Sequence, residues 1–178
     1  MTKVEIYEGD ITKLEVDAIV NAAKKSLLGG GGVDGAIHRA AGGKLLKECK
    51  EIRETKLPEG LPTGEAIITG GYKLPAQHVI HTVGPVWQGG KKNERELLAN
   101  CYKNSLKVAL DNDLTSIAFP AISTGVYHFP ARKACKIAMQ TVRDFISDNK
   151  DLEKIIFAVI GDNVTIYKTN FTKYFNKE

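Results

Sequence analysis

The sequence predicts an α/β fold: a single three-layer α/β/α domain over residues 1–178, with a mixed central sheet of about six strands flanked by helices. Three observations carry this. Short apolar, β-branched runs alternate with segments of helical periodicity along the whole chain. Those runs are apolar on both alternating faces, as in a sheet covered on both sides. Polar, glycine-bearing loops follow the ends of the apolar runs, where open α/β sheets bind ligands.

Strands are predicted at Val4–Tyr7, Ala18–Val20, Glu65–Thr69, His78–Thr82, Ser116–Phe119 and Lys154–Ile160. The first helices are expected over Gly35–Ala41 and Lys44–Glu54. A helix over Glu94–Leu110 places Leu98, Cys101, Tyr102, Leu106 and Ala109 on one face. A helix over Pro130–Ser147 aligns Ala131, Ala134, Cys135, Ala138, Val142, Phe145 and Ile146, with Pro130 suited to its first turn. A last helix, Val164–Phe175, aligns Val164, Tyr167, Phe171, Tyr174 and Phe175 as core aromatics and aliphatics. Pro58–Gly64 reads as a surface turn, too short for a linker between domains.

Composition bounds the function. Hydrophobic residues make up 43% and charged residues 26%, ordinary for a globular protein with a real core. No apolar run reaches the roughly 20 residues of a membrane-spanning helix, and the N-terminus lacks an apolar leader. A cytoplasmic, membrane-free protein is expected. Cys49, Cys101 and Cys135 are odd in number, without metal-ligand spacing, and read as reduced packing thiols. The net charge of +4 suits an anionic ligand but forms no basic stripe, so nucleic acid is not expected as a partner. No metal is expected, and a monomer is.

The most informative segment is Asn21-Ala-Ala-Lys24-Lys-Ser-Leu-Leu-Gly29-Gly-Gly-Gly32-Val33-Asp34-Gly35. Four consecutive glycines lose much backbone entropy on ordering, which points to a phosphate or sugar brought close to bare backbone. Gly30-x-Gly32-x-x-Gly35 formally matches a dinucleotide fingerprint, but that motif should follow its strand immediately, and here several residues intervene. A second loop, Ser123-Thr124-Gly125-Val126, follows Ile117–Pro120. It can aim backbone N–H groups at phosphate oxygens, with Gly125 supplying a positive φ; an ordinary strand-to-helix turn is the plain alternative. Asp10 can cap a turn or accept a hydrogen bond from an adenine amine. Asp34 can answer a helix dipole or position a water. The residues alone leave these alternatives open.

Taken together, several ordered motifs resemble the macrodomain family of ADP-ribose-binding modules, in particular its MacroD-type hydrolase branch, which also processes ADP-ribose-1″-phosphate. They are Gly9-Asp10-Ile11-Thr12, the Asn21–Gly43 block, Thr69-Gly-Gly-Tyr72-x-Leu-Pro75, His78-Val-Ile-His81-Thr-Val-Gly-Pro85, Asn100–Leu106 and Phe119–Tyr127. The resemblance implies that Asp10 and Ile11 bind adenine, that Asn21 and the Gly29–Gly32 loop with Gly31, Gly32 and Val33 enclose the distal ribose, and that Ser123, Thr124, Gly125 and Val126 wrap the diphosphate beside Tyr127. It implies Asp34 as the group that positions the attacking water, with Asn21 and Lys24 beside it. It implies hydrolysis of ADP-ribose esters, on ADP-ribosylated acidic side chains or O-acetyl-ADP-ribose, with no cofactor. ADP-ribose and ADP-ribosylated proteins are the expected partners.

Three positions depart from the family pattern. Lys24 stands where an Asn is usual, exchanging a donor–acceptor amide for a donor-only cation that would weaken Asp34 as a base. That substitution keeps a second reading open: a reader module that binds ADP-ribose without turnover. His128 replaces a frequent Gly, and Ile160 replaces a frequent aromatic near the adenine.

Overall fold

The computed structural model describes residues 1–175. Six strands form one sheet: β1 (Lys3–Glu8), β2 (Ala18–Ala22), β3 (Ala66–Gly70), β4 (His78–Thr82), β5 (Ser116–Phe119) and β6 (Lys154–Val159). Their order is β1-β6-β5-β2-β4-β3. All neighbours are parallel except β3, which runs antiparallel to β4 at the edge. The expected mixed sheet is therefore present.

Five α-helices cover it: α1 (Gly32–Ala41), α2 (Gly43–Thr55), α3 (Glu94–Asp111), α4 (Ala131–Asp148) and α5 (Asn163–Tyr174). A 3-10 turn, Ile11–Lys13, follows β1. Two boundaries differ usefully from expectation. The first helix starts at Gly32 rather than Gly35, and Gly32 enters it with a φ of 57°, a left-handed angle that glycine adopts without strain. Pro130 is the N-cap of α4 and lies just outside its first turn.

The two faces of the sheet are packed differently. One face meets α3, α4 and α5 through a large aromatic cluster: Tyr102 against Phe119 at 4.9 Å, and Phe157 against Tyr167 at 5.6 Å. The expected apolar faces of α3 and α4 lie here, with Cys101 and Cys135 fully buried among them. The other face meets α1 and α2 through aliphatic residues, among them Ile19, Ile37, Leu45 and Val79, with Cys49 buried beside them. Burial pushes the thiols of all three cysteines above their ordinary value, which fits packing residues.

The sheet opens at one point. β2 stays paired with β4 through Ala22↔Thr82, but its pairing with β5 ends at Ile19↔Ala118. Beyond that register the chains leaving β2 and β5 diverge. This is also where the strand order switches direction, the place where open α/β sheets admit ligands. At the opposite end Asp17 holds the same two strands together, its carboxylate accepting from Thr115 and Ser116 N–H and from the Thr115 hydroxyl.

Candidate active site

Strand ends bring the predicted loops to one side of the molecule. β1 delivers Asp10, β2 delivers Asn21 and the glycine loop, β5 delivers Ser123–Tyr127, and β6 delivers Ile160. Cross-contacts link them: Gly9 N–H donates to Val159 O, Asn163 Nδ2 donates to Thr124 Oγ1 at 3.3 Å, and Trp87 N–H donates to Tyr127 O at 2.8 Å.

The glycine loop is shaped by close approach. A Cβ on Gly35 would lie 2.4 Å from the Gly30 carbonyl oxygen. A Cβ on Gly30 would meet Lys24 Cε at 2.8 Å, Lys24 Nζ at 3.0 Å and Asp34 Oδ2 at 3.2 Å. Lys24 and the Asp34 carboxylate thus flank the same glycine. The loop's base is fastened by Arg53, whose guanidinium donates to the carbonyls of Ser26, Leu57 and Pro58. Helix α1 begins immediately after, its N-cap Gly31 lacking a side-chain cap. Its first N–H groups are therefore free, and the dipole favours an anion or carboxylate there.

Asp34 is the carboxylate in that first turn, 4% exposed. Its Oδ1 accepts from Asn21 Nδ2 at 2.9 Å, and its Oδ2 is buried without a protein partner. Asn21 Oδ1 is likewise buried and unpartnered. Two residues without an assigned role in the sequence complete the cluster. His38, one turn along α1, puts Nε2 3.5 Å from Asp34 Oδ1. Its i,i+4 spacing from Asp34 was visible in the sequence. His81 lies across the β2–β4 pair in register with Asn21, and its Nδ1 is 3.2 Å from Asn21 Nδ2. Burial first, and the His38 ring second, drive His81 down to about 3, so it is neutral. Only strand register could have found it.

The second loop exposes backbone by other means. Among the described residues, none of the N–H groups of Ser123, Thr124, Gly125 and Val126 donates a hydrogen bond. Gly125, however, is not the residue with positive φ. Ser123 (φ 68) and His128 (φ 57) are the left-handed positions. The turn closes through His128 N–H to Gly125 O and Phe129 N–H to Ser123 O, and those two bonds set where the chain must reverse. The Ser123 hydroxyl faces inward, so close to Gly84 that a Cβ there would lie 2.1 Å from it. What this serine offers outward is backbone.

Asp10 caps the turn after β1, its Oδ1 accepting from Thr12 N–H at 2.9 Å and Thr12 Oγ1 at 2.7 Å. Those hydrogen bonds, the side-chain one foremost, hold its carboxyl below its ordinary value. It stays exposed, with Oδ2 available, while Ile11 beside it is buried. Val33 is half-buried, and Gly31 and Gly32 are exposed. Val126 and Ile160 present bare apolar side chains, 84% and 68% exposed. Among the described residues no three His, Cys, Asp or Glu side chains group as metal donors, and no helix is long and apolar enough to cross a membrane.

Comparison with known proteins gives this geometry a family. The Macro domain model matches residues 20–138. The chain is 50% identical over 173 residues to a Shigella flexneri protein named O-acetyl-ADP-ribose deacetylase, covering 97% of each. It is 51% identical to Xenopus laevis ADP-ribose glycohydrolase MACROD2, over 99% of this chain but 41% of that longer one. Among solved structures, the Oceanobacillus iheyensis macrodomain with ADP superposes with a TM-score of 0.91 at 49% identity, over 94% of this chain and 89% of that one. A six-stranded mixed sheet that opens between β2 and β5, with a glycine loop and an N–H-rich loop at the opening, is here the frame of a macro domain, and the chain belongs to that family.

Proposed function

We propose that this chain binds ADP-ribose and hydrolyses ADP-ribose esters, with mono-ADP-ribosylated Asp or Glu side chains and O-acetyl-ADP-ribose as substrates. The observation that carries the proposal is the Asn21–Asp34 pair. A buried carboxylate, oriented through one oxygen by an amide and unpartnered at the other, stands at the root of the glycine loop. The free N–H groups of Ser123–Val126 hold the diphosphate, and Asp10 Oδ2 accepts from the adenine amine. The unpartnered Oδ2 of Asp34 takes a hydrogen bond from a water, aims its oxygen at the ester and accepts its proton as it attacks. The water's oxygen bonds to the acyl carbon, the acyl C–O bond breaks, and the proton taken by Asp34 passes to the leaving oxygen, so that ADP-ribose departs with a hydroxyl and the acyl group as the acid. His38 Nε2 stands 3.5 Å from the other Asp34 oxygen, near enough to add to the field around the carboxylate. The names of the deacetylase and glycohydrolase relatives support the same reading.

Mass-spectrometric turnover of O-acetyl-ADP-ribose, with calorimetric titration of ADP-ribose as the binding control, tests it. Acetate release together with binding is expected. Binding without release leaves the reader module, a reading favoured by one observation: Lys24 Nζ lies over Gly30 beside Asp34. Lys24→Asn then decides between the two. Removing the cation should raise the single-turnover rate several-fold or more, since a misplaced contact costs up to roughly a hundredfold. An equal or slower rate would show that the lysine belongs to the chemistry.

A further inference from the structure

The aliphatic layer under α1 and α2 contains a row of polar side chains that packing does not require. Thr69 on β3, His81 on β4, Asn21 on β2 and Asp34 on α1 are 3%, 0%, 0% and 4% exposed. Ile19, Val79 and Ile37 surround them in the same layer. An apolar row of the same volume would be at least as stable, because every buried polar group must first be stripped of water.

The row has only one consistent direction. The Thr69 hydroxyl has carbonyl acceptors, Gly70 O at 3.1 Å and Val79 O at 3.4 Å. Giving its proton to them leaves Oγ1 as an acceptor, 2.9 Å from His81 Nε2. His81 therefore carries its single proton on Nε2, and Nδ1 is a lone pair facing Asn21 Nδ2. The two amide hydrogens of Asn21 are then fully assigned, one to His81 and one to Asp34. The opposite tautomer would need Asn21 turned over, with Oδ1 set against the Asp34 carboxylate oxygen. Tautomer and amide orientation lock each other.

Resting on the hydrolase reading above, we propose that His81 is a positioning residue of the reaction. Held by Thr69, it fixes the Asn21 amide so that Nδ2 orients Asp34 and Oδ1 is left as the acceptor for the distal ribose. His81 touches neither the substrate nor the water.

Two histidine replacements separate positioning from bulk. Asn places its amide where Nδ1 stands and can still accept from Asn21. Gln reaches the Nε2 end, keeps Thr69 and abandons Asn21. With O-acetyl-ADP-ribose as substrate, His81→Asn should lower kcat by no more than about threefold and His81→Gln by at least about thirtyfold, with KM moving little in either. Equal kcat in the two variants, high or low, overturns the inference. Should either variant fail to fold, Thr69→Ser and Thr69→Val repeat the contrast one residue further out. Ser keeps the acceptor for Nε2–H, Val removes it, and only Val should lose kcat; equal rates overturn the inference there too. Long-range ¹H–¹⁵N spectra of the parent's imidazoles supply the second readout. An Nε2–H tautomer for His81 at neutral pH is expected, and an Nδ1–H tautomer or an imidazolium overturns the inference whatever the rates. A parent that binds ADP-ribose but releases no acetate, with His81 in the expected tautomer, sinks the hydrolase reading and the inference with it. A parent that turns over while the variant pairs behave alike sinks the inference alone.

Discussion

Two loops leave adjacent strands at the same opening and expose bare backbone to a ligand, yet they are built on different physics. The loop after β2 crowds some of its glycines and bends others: a Cβ at Gly35 or Gly30 would collide with a carbonyl, a lysine or the Asp34 carboxylate, while Gly29 (φ 90) and Gly32 (φ 57) hold left-handed backbone. The loop after β5 places Ser123 and His128, not glycine, at its left-handed positions, and Gly125 has open space around it. The first loop is constrained by space and by glycine conformation together, and is fastened by Arg53. The second is constrained by conformation and braced by its neighbour, since Trp87 holds Tyr127 and packs its ring 4.7 Å from Phe129. The brace is itself organised by Glu94, buried, which accepts from the backbone N–H groups of Gln88, Gly90 and Lys92. In the function proposed above, chemistry belongs to the glycine loop and grip to the loop after β5.

The sharpest way to break that division is Asp34→Ala. Hydrolysis should fall by about a thousandfold, within the range of a lost general base, while calorimetry shows ADP-ribose affinity within a few-fold of the parent. A large loss of affinity would mean that Asp34 grips as well as reacts. Next in size, Gly35→Ala should destabilise the fold by about 2–3 kcal/mol in urea denaturation, because its new Cβ meets the Gly30 carbonyl. A neutral result would show that the first loop yields easily and that crowding does not shape it.

The brace of the second loop has a pH signature. Burial raises the Glu94 carboxyl, but four backbone N–H groups, those of Gln88, Gly90, Lys92 and Glu94 itself, outweigh it and bring the group from an ordinary 4.5 down to about 2. Its stabilisation is therefore complete above about pH 4.5 and is lost as pH falls toward 2. Glu94→Gln should lower Tm at neutral pH, and the gap to the parent should close on acidification through that window. His81 also titrates against folding below its ordinary 6.5, but equally in both chains, so the difference isolates Glu94. A gap independent of pH would remove charge from the account. The smallest effect is expected from His128→Gly, which relieves a left-handed non-glycine residue and should stabilise the fold by up to about 1 kcal/mol. Tighter or unchanged ADP-ribose binding would accompany it; a marked loss would show that the strain pre-forms the diphosphate site.

Much of this was legible before any coordinates. Strand and helix positions follow from periodicity because both faces of the sheet are covered, and covered strands are apolar throughout. Asp34 and Asn21 stood out through the family resemblance, since the residues alone left Asp34 between answering a helix dipole and positioning a water. Gly125 misled for a physical reason: a glycine permits positive φ but does not require it, and the hydrogen bonds closing the turn placed the reversal at Ser123 and His128. His81 and Thr69 carried no legible role, since an isolated histidine or threonine in a strand is ordinary.

By itself, then, the sequence determined the layers, the order of the elements, the family resemblance and the residue types at the ligand's side of the sheet, all of which depend on local pattern and on short spacing. Tertiary structure alone decided which buried polar groups meet. Strand register puts His81 beside Asn21 and sends Asn21 to Asp34, contacts between residues 60 and 13 positions apart in the chain. Hydrogen-bond direction is a property of such contacts, and no single stretch of sequence contains it.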